Sequence, residues 1–173
     1  MNEENINMNE LNGLRLSPHF TLGEVTKSKH TEIYNIPSHE AIENLKRVCS
    51  WLEELRRRYN LRYVLRSVSP PKLGGEKDTE EPIIISSGYR SPQLNRKVGG
   101  SPTSNHLTGC AVDIRVAGIE QAMRYAVILM DYADETKQDY DEILIEKNRY
   151  GAIWLHFAVR PKENRRKTMF LMK

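Results

Sequence analysis

The stretch Cys110-Ala111-Val112-Asp113-Ile114-Arg115-Val116 constrains this chain most, because it reads as a strand built for burial with a carboxylate at its centre. Side chains alternate across a strand, so Cys110, Val112, Ile114 and Val116 share one face and Ala111, Asp113 and Arg115 the other. The first set is core. An unpaired carboxylate in such surroundings costs on the order of several kcal/mol. Asp113 therefore requires a cation, a donor or a metal ion, and an arginine such as Arg115 would answer that need as well as a metal would.

Around that strand the chain has room for one core, with 173 residues of which 39% are hydrophobic and 28% charged. This balance excludes disorder, and no apolar stretch approaches the length of a membrane span. The 26 basic residues exceed the 23 acidic ones by +3, too little to demand nucleic acid as a partner. Cys49 and Cys110 make no disulfide framework and read as reduced thiols. The start, Met-Asn-Glu-Glu-Asn, is polar and acidic, unlike a secretory leader, so the expected location is the cytoplasm as synthesised.

Residues 1–16 are poor in groups to bury and are expected as a flexible arm ahead of a single domain over 17–173. Thr21 with Glu24 forms a capping-box pattern for a short helix. Ser38 reads as the N-cap of the clearest helix, with Ala41, Ile42, Leu45, Val48, Cys49, Leu52, Leu55 and Tyr59 as its apolar stripe. From 67 to 81 the Pro, Gly and charged residues predict a mobile loop. A strand is expected over 82–87, then a short helix capped by Ser91 with Pro92 in its first position. A helix over 119–133 should bury Ile119, Ala122, Met123, Ala126, Val127 and Met130. Strands at 143–146 and 152–159 follow, joined by a turn, with an edge strand at 169–172. The fold class is α+β: helices packed on a small antiparallel or mixed sheet.

Two histidines join Asp113 as candidates. His106 lies in a loop of small polar residues that enters the strand at Gly109, and His156 sits mid-strand in Ile153-Trp154-Leu155-His156-Phe157. Each has a bland reading, as an exposed loop residue and a hydrogen-bonded core residue. Beside a buried carboxylate both become candidate ligands of zinc, which takes imidazole nitrogen and carboxylate oxygen. Such a set leaves one open position, the catalytic arrangement, in which zinc acidifies its water and polarises a carbonyl. A nearby glutamate would then move the proton. If Glu146 pairs opposite Trp154, strand parity puts Glu146, Trp154 and His156 on one face; a slip of one residue removes Glu146 from it.

Several motifs in order carry a resemblance. Ser87-Gly88-Tyr89-Arg90-Ser91-Pro92, Leu94-Asn95, Val98-Gly99-Gly100-Ser101, Ser104-x-His106-x-x-Gly109-x-Ala111-x-Asp113 and Trp154-x-His156 resemble the M15 metallopeptidases, in their branch of zinc D-Ala-D-Ala carboxypeptidases and phage endolysins. The likeness starts at Ser17-Pro18-His19-Phe20 and runs to Asn164-Arg165-Arg166. It implies a hedgehog/DD-peptidase-like domain with one Zn2+ held by His106, Asp113 and His156. It also implies that Arg90 lies near the substrate, to hold a carboxylate or an oxyanion; the alternative is a structural partner of a backbone carbonyl or of Asp113. Ser104 would orient substrate or cap its loop, and Trp154 would line a peptide groove or simply pack. Better-known relatives carry the catalytic glutamate three residues before the last histidine, where this chain has Ile153. Glu146 is the substitute, with Asp141 and Glu142 as runners-up.

The reading is a zinc peptidase acting on peptidoglycan stem peptides, as D-Ala-D-Ala carboxypeptidase or endolysin-type endopeptidase. It is a monomer that needs neither nucleic acid nor membrane, made in the cytoplasm and released to the wall as a phage-type lysin would be. The alternative is a zinc-containing cell-wall or protein-binding module that has lost catalysis, motivated by Ile153. A serine hydrolase using a serine with His106 and Asp113 is weaker, since no Gly-x-Ser-x-Gly elbow is present.

Overall fold

The computed structural model describes residues 8–64 and 80–173. Its first elements are α1 (Met8–Gly13), β1 (Arg15–Ser17) and β2 (Phe20–Thr21). Residues 8–16, expected within a flexible arm, are thus partly structured. The reason is apolar: Leu16 is buried in the core and Leu11 packs against it. Thr21 caps α2 (Leu22–Thr26) through the full capping box with Glu24. Ser38 accepts from the Ala41 N–H and starts α3 (His39–Tyr59), which continues as one π-helical turn over Asn60–Val64. Most of the expected loop at 67–81 lies outside the described residues.

Beyond it come β3 (Ile85–Ser87), α4 (Pro92–Lys97), β4 (Ala111–Arg115), α5 (Ile119–Thr136), β5 (Glu142–Lys147), β6 (Ile153–Ala158) and β7 (Lys167–Met172). β3 is shorter than the expected strand, though Ile83 ahead of it is buried. Five strands form one mixed sheet in the order β3-β4-β6-β5-β7, with β7 parallel to β5 at the edge and the other pairs antiparallel. β1 and β2 make a separate antiparallel pair. The fold is α+β.

α3 and α5 cover one face of the sheet. Trp51 of α3 meets Tyr132 of α5 edge-on at 4.8 Å and Phe157 of β6 at 5.5 Å. Val112, Ile114, Ile143, Leu155 and Phe157 point toward these helices and are fully buried. Alternation then sends Asp113, Leu144 and His156 to the opposite face. α5 keeps part of the expected stripe, burying Ala122 and Ala126 with Met130 packed against the core, but it also buries Tyr125, Ile128, Leu129 and Ala133, whereas Ile119, Met123 and Val127 are exposed. Tyr125 stacks edge-on to Tyr59 at 4.8 Å, and the alanines let the helix approach. Bulk at Tyr125 and Leu129 outweighed the apolar count used to orient the helix.

Gly109 joins the sheet to α3. Its φ of +72° is in the left-handed region, and a Cβ there would meet the Ala41 carbonyl oxygen at 2.4 Å. Gly109→Ala should therefore destabilise the fold by roughly 2–4 kcal/mol, from backbone strain plus the clash. Urea unfolding midpoints of the two proteins check this.

Candidate metal centre

Asp113 on β4 faces His156 on β6 as a direct cross-strand pair, and Leu144 lies opposite His156 on β5. The sequence must bring only one more group to them, and a short 3-10 turn does so. Ser104 caps the turn Asn105–Thr108, which Gly109 closes, and His106 sits inside it. The turn is pinned from several sides. Asn44 of α3 donates to the Thr108 carbonyl at 2.9 Å, and Asn105 donates to Asp141 at 2.7 Å. The Arg90 N–H donates to the His106 carbonyl at 3.0 Å.

The result is a buried group. His106, Asp113 and His156 each offer a ligand atom, all within 4.8 Å of one another. His106 Nε2 is 3.4 Å and His156 Nδ1 is 2.9 Å from Asp113 Oδ1. The donor set, two imidazole nitrogens and one carboxylate oxygen, suits zinc.

The outer contacts fit a metal as well. His106 Nδ1 lies 2.6 Å from the Gly88 carbonyl oxygen, so that nitrogen carries a proton and Nε2, on the Asp113 side, is the nitrogen that would offer its lone pair to an ion. His156 Nε2 lies 3.3 Å from Glu142 Oε2, which leaves Nδ1 as the ligand nitrogen. Metal-binding histidines regularly donate their second N–H to a carbonyl or carboxylate in this way. Gly88 is fixed by packing, since a Cβ there would meet the Val25 carbonyl oxygen at 2.3 Å.

Charges in the group are strongly coupled. Burial alone would raise the Asp113 pKa, but His106 and His156 hold it well below the usual carboxylate range. Burial disfavours charge on His156, yet its hydrogen bonds to Asp113 and Glu142 carry it to about 9. The His156 contact, against burial, brings Glu142 down to about 2.

The remaining expected residues divide. Glu146 pairs opposite Trp154, the register that puts Glu146 on the His156 face. Glu146 is buried and lines the same cavity of about 710 Å³ as His106, Asp113, Trp154 and His156. Its carboxylate holds Lys173 Nζ at 2.7 Å. Arg90 and Ser104 also line this cavity. Arg90 bonds Asp113 Oδ2 at 2.7 Å and Ser87 Oγ at 2.9 Å, and Ser104 accepts from the His106 N–H at 3.3 Å. Arg90 is thus a partner of Asp113 and Ser104 a cap of its own loop.

Of the runners-up, Asp141 is fully buried among Asn105, Arg160 and Arg165 and faces no open site. Glu142, the first residue of β5, reaches the group and lies 3.3 Å from His156 Nε2. Glu142 and Glu146 sit two residues either side of Leu144, so parity places both on the His156 face. That alternation was available in the sequence. Lys173 and the Gly88 carbonyl were not foreseen, and no local signal marks either.

A metal taken up here must displace a proton from His156, which is charged at neutral pH in the metal-free protein. Zinc binding at pH 7 should therefore release about one proton, with affinity rising as pH rises toward 9. Calorimetry in buffers of different ionisation enthalpy reads this directly. Glu142→Gln should keep the site but weaken zinc binding by roughly 10–100-fold.

No curated protein matches the chain. No helix among the described residues is long and apolar enough to cross a membrane. Residues 75–138, which contain Arg90, His106 and Asp113, match the family model described as Peptidase M15, and this match supports an M15 family peptidase.

Proposed function

We propose that this protein is a zinc-dependent peptidase that hydrolyses peptide bonds in peptidoglycan stem peptides. The observation that carries the reading is the juxtaposition of His106, Asp113 and His156 with the buried carboxylate of Glu146 in one open cavity. His106 Nε2, an Asp113 oxygen and His156 Nδ1 would hold the ion. When bound, it supplies Lewis acidity, activating water and polarising a carbonyl.

The chain's own groups do the rest. Glu146 takes a proton from the attacking water as the new carbon–oxygen bond forms. It gives that proton to the leaving nitrogen as the carbon–nitrogen bond breaks, so the glutamate returns to its starting state. Lys173 on Glu146 Oε2 leaves Oε1 for that exchange. Arg90 holds Asp113 in place and lines the cavity, where its remaining N–H groups would bind a carboxylate or a developing oxyanion. Trp154 lines the same cavity and offers a flat apolar wall to the peptide. Glu142 orients His156 rather than touching substrate.

Zinc-loaded protein incubated with purified muropeptides should generate new amino termini, detected by mass spectrometry. Glu146→Gln should lower turnover by at least about a hundredfold with zinc content unchanged. Full activity in Glu146→Gln would exclude Glu146 as the proton carrier. Binding of muropeptides without cleavage by the wild-type protein would favour the module that has lost catalysis.

A further inference from the structure

The cations around the main cavity are already matched by acids. Arg90 bonds Asp113, Arg165 bonds Asp141 and Glu142, Lys167 lies 3.6 Å from Glu142, and Lys173 bonds Glu146. Arg115 is different. It is exposed, and among the described residues its side chain has no acid or hydrogen-bond partner. It lies on the site face of β4, two residues along from Asp113 and directly opposite Trp154.

A second hollow of about 310 Å³ begins there, lined by Ser86, Asp113, Arg115, Ala152, Ile153 and Trp154. Asp113 and Trp154 border both hollows, so the two are neighbours across these side chains. Arg115 Cα stands about 7 Å along the strand from Asp113, and a guanidinium on its long stem can reach a group seated over Trp154. Ser86, whose hydroxyl bonds the Asp113 carbonyl at 3.1 Å, closes the floor of this hollow on the β3 side.

We propose that Arg115 recognises a carboxylate of the substrate in this second hollow, so that a bound peptide crosses Trp154 and occupies both hollows. The proposal rests on the peptidase reading above. A guanidinium favours a carboxylate because its fork of N–H donors matches the two oxygens. In a stem peptide two carboxylates have this chemistry: the α-carboxylate of D-Glu and the C-terminal one. Occupancy of both hollows also means that chain extends on either side of the bond to be cut.

The test compares wild-type protein, Arg115→Gln and Arg115→Lys on L-Ala-γ-D-Glu-L-Lys-D-Ala-D-Ala and on its two mono-amides. In the first amide the D-Glu carboxylate is capped, in the second the C-terminal one. Arg115→Gln should raise KM for the parent peptide about tenfold with kcat within about twofold. One mono-amide should lose the same factor with wild-type protein and nothing further with Arg115→Gln, which identifies the carboxylate. Arg115→Lys should recover part of the loss, and zinc content should be equal in all three proteins. Equal discrimination against both amides by wild type and Arg115→Gln overturns the proposal. If the wild-type protein cleaves none of the peptides, the peptidase reading fails, and calorimetric binding of the same peptides still decides Arg115. A carboxylate preference lost in Arg115→Gln supports the subsite, and an unchanged preference or no binding overturns it.

Discussion

The structure turns on one buried carboxylate. Asp113 sits at the middle of β4 with core residues on either side of it in sequence, and removing its partners would leave a charge whose burial costs on the order of several kcal/mol. Three partners answer it from three places: Arg90 from the segment after β3, His106 from the turn before β4, and His156 from β6. Segments far apart in sequence are thereby obliged to converge. The same convergence is what a divalent ion needs, since it brings two imidazole nitrogens and a carboxylate oxygen within 4.8 Å of one another. The electrostatic requirement of the fold and the donor set of the site are one arrangement.

Strand parity separates this arrangement from the core. Leu155 and Phe157 turn toward α3 and α5, and His156 between them turns away. On β5 the same alternation places Ile143 in the core and Glu142, Leu144 and Glu146 on the site face. Two glutamates at equal offsets from Leu144 then differ in role through what they touch. Glu142 meets the imidazole, and Glu146 meets a lysine on the far edge of the cavity. The proposed division of labour between an orienting acid and a proton carrier rests on these contacts rather than on residue type.

β7 adds the last layer of control. As an edge strand parallel to β5 it places Lys167 beside Glu142, and Lys173 just past its end reaches Glu146, so each glutamate on the site face of β5 has a cation next to it. This matching makes Arg115 stand apart on the opposite side of the site. The network of the buried Asp141 and Asn105 with Arg160 and Arg165 ties the turn carrying His106 to the start of β5, which keeps the two halves of the site at fixed separation. Asp141 thus serves geometry, although its residue type and position made it a candidate for chemistry.

The helix caps at Thr21, Ser38 and Ser91, the stripe of α3, and the alternation in β4 and β6 were legible in the sequence because each rests on neighbours within a few residues. Asp113 and His156 could be picked out for the same reason, as polar groups in segments built for burial, and His106 by its place in the loop that enters the strand of Asp113. The orientation of α5 could not, because Tyr125 finds Tyr59 only across the fold. Order in residues 8–16 depends likewise on a core that the segment itself does not contain. The pairing of Glu146 with Trp154 was a condition the sequence could state but not choose, since a register shift of one residue preserves every local preference while reversing the face. Local chemistry thus determined which groups needed partners; the long-range pairing of strands decided which partners they received, because cross-strand contact energies exist only once the sheet has formed.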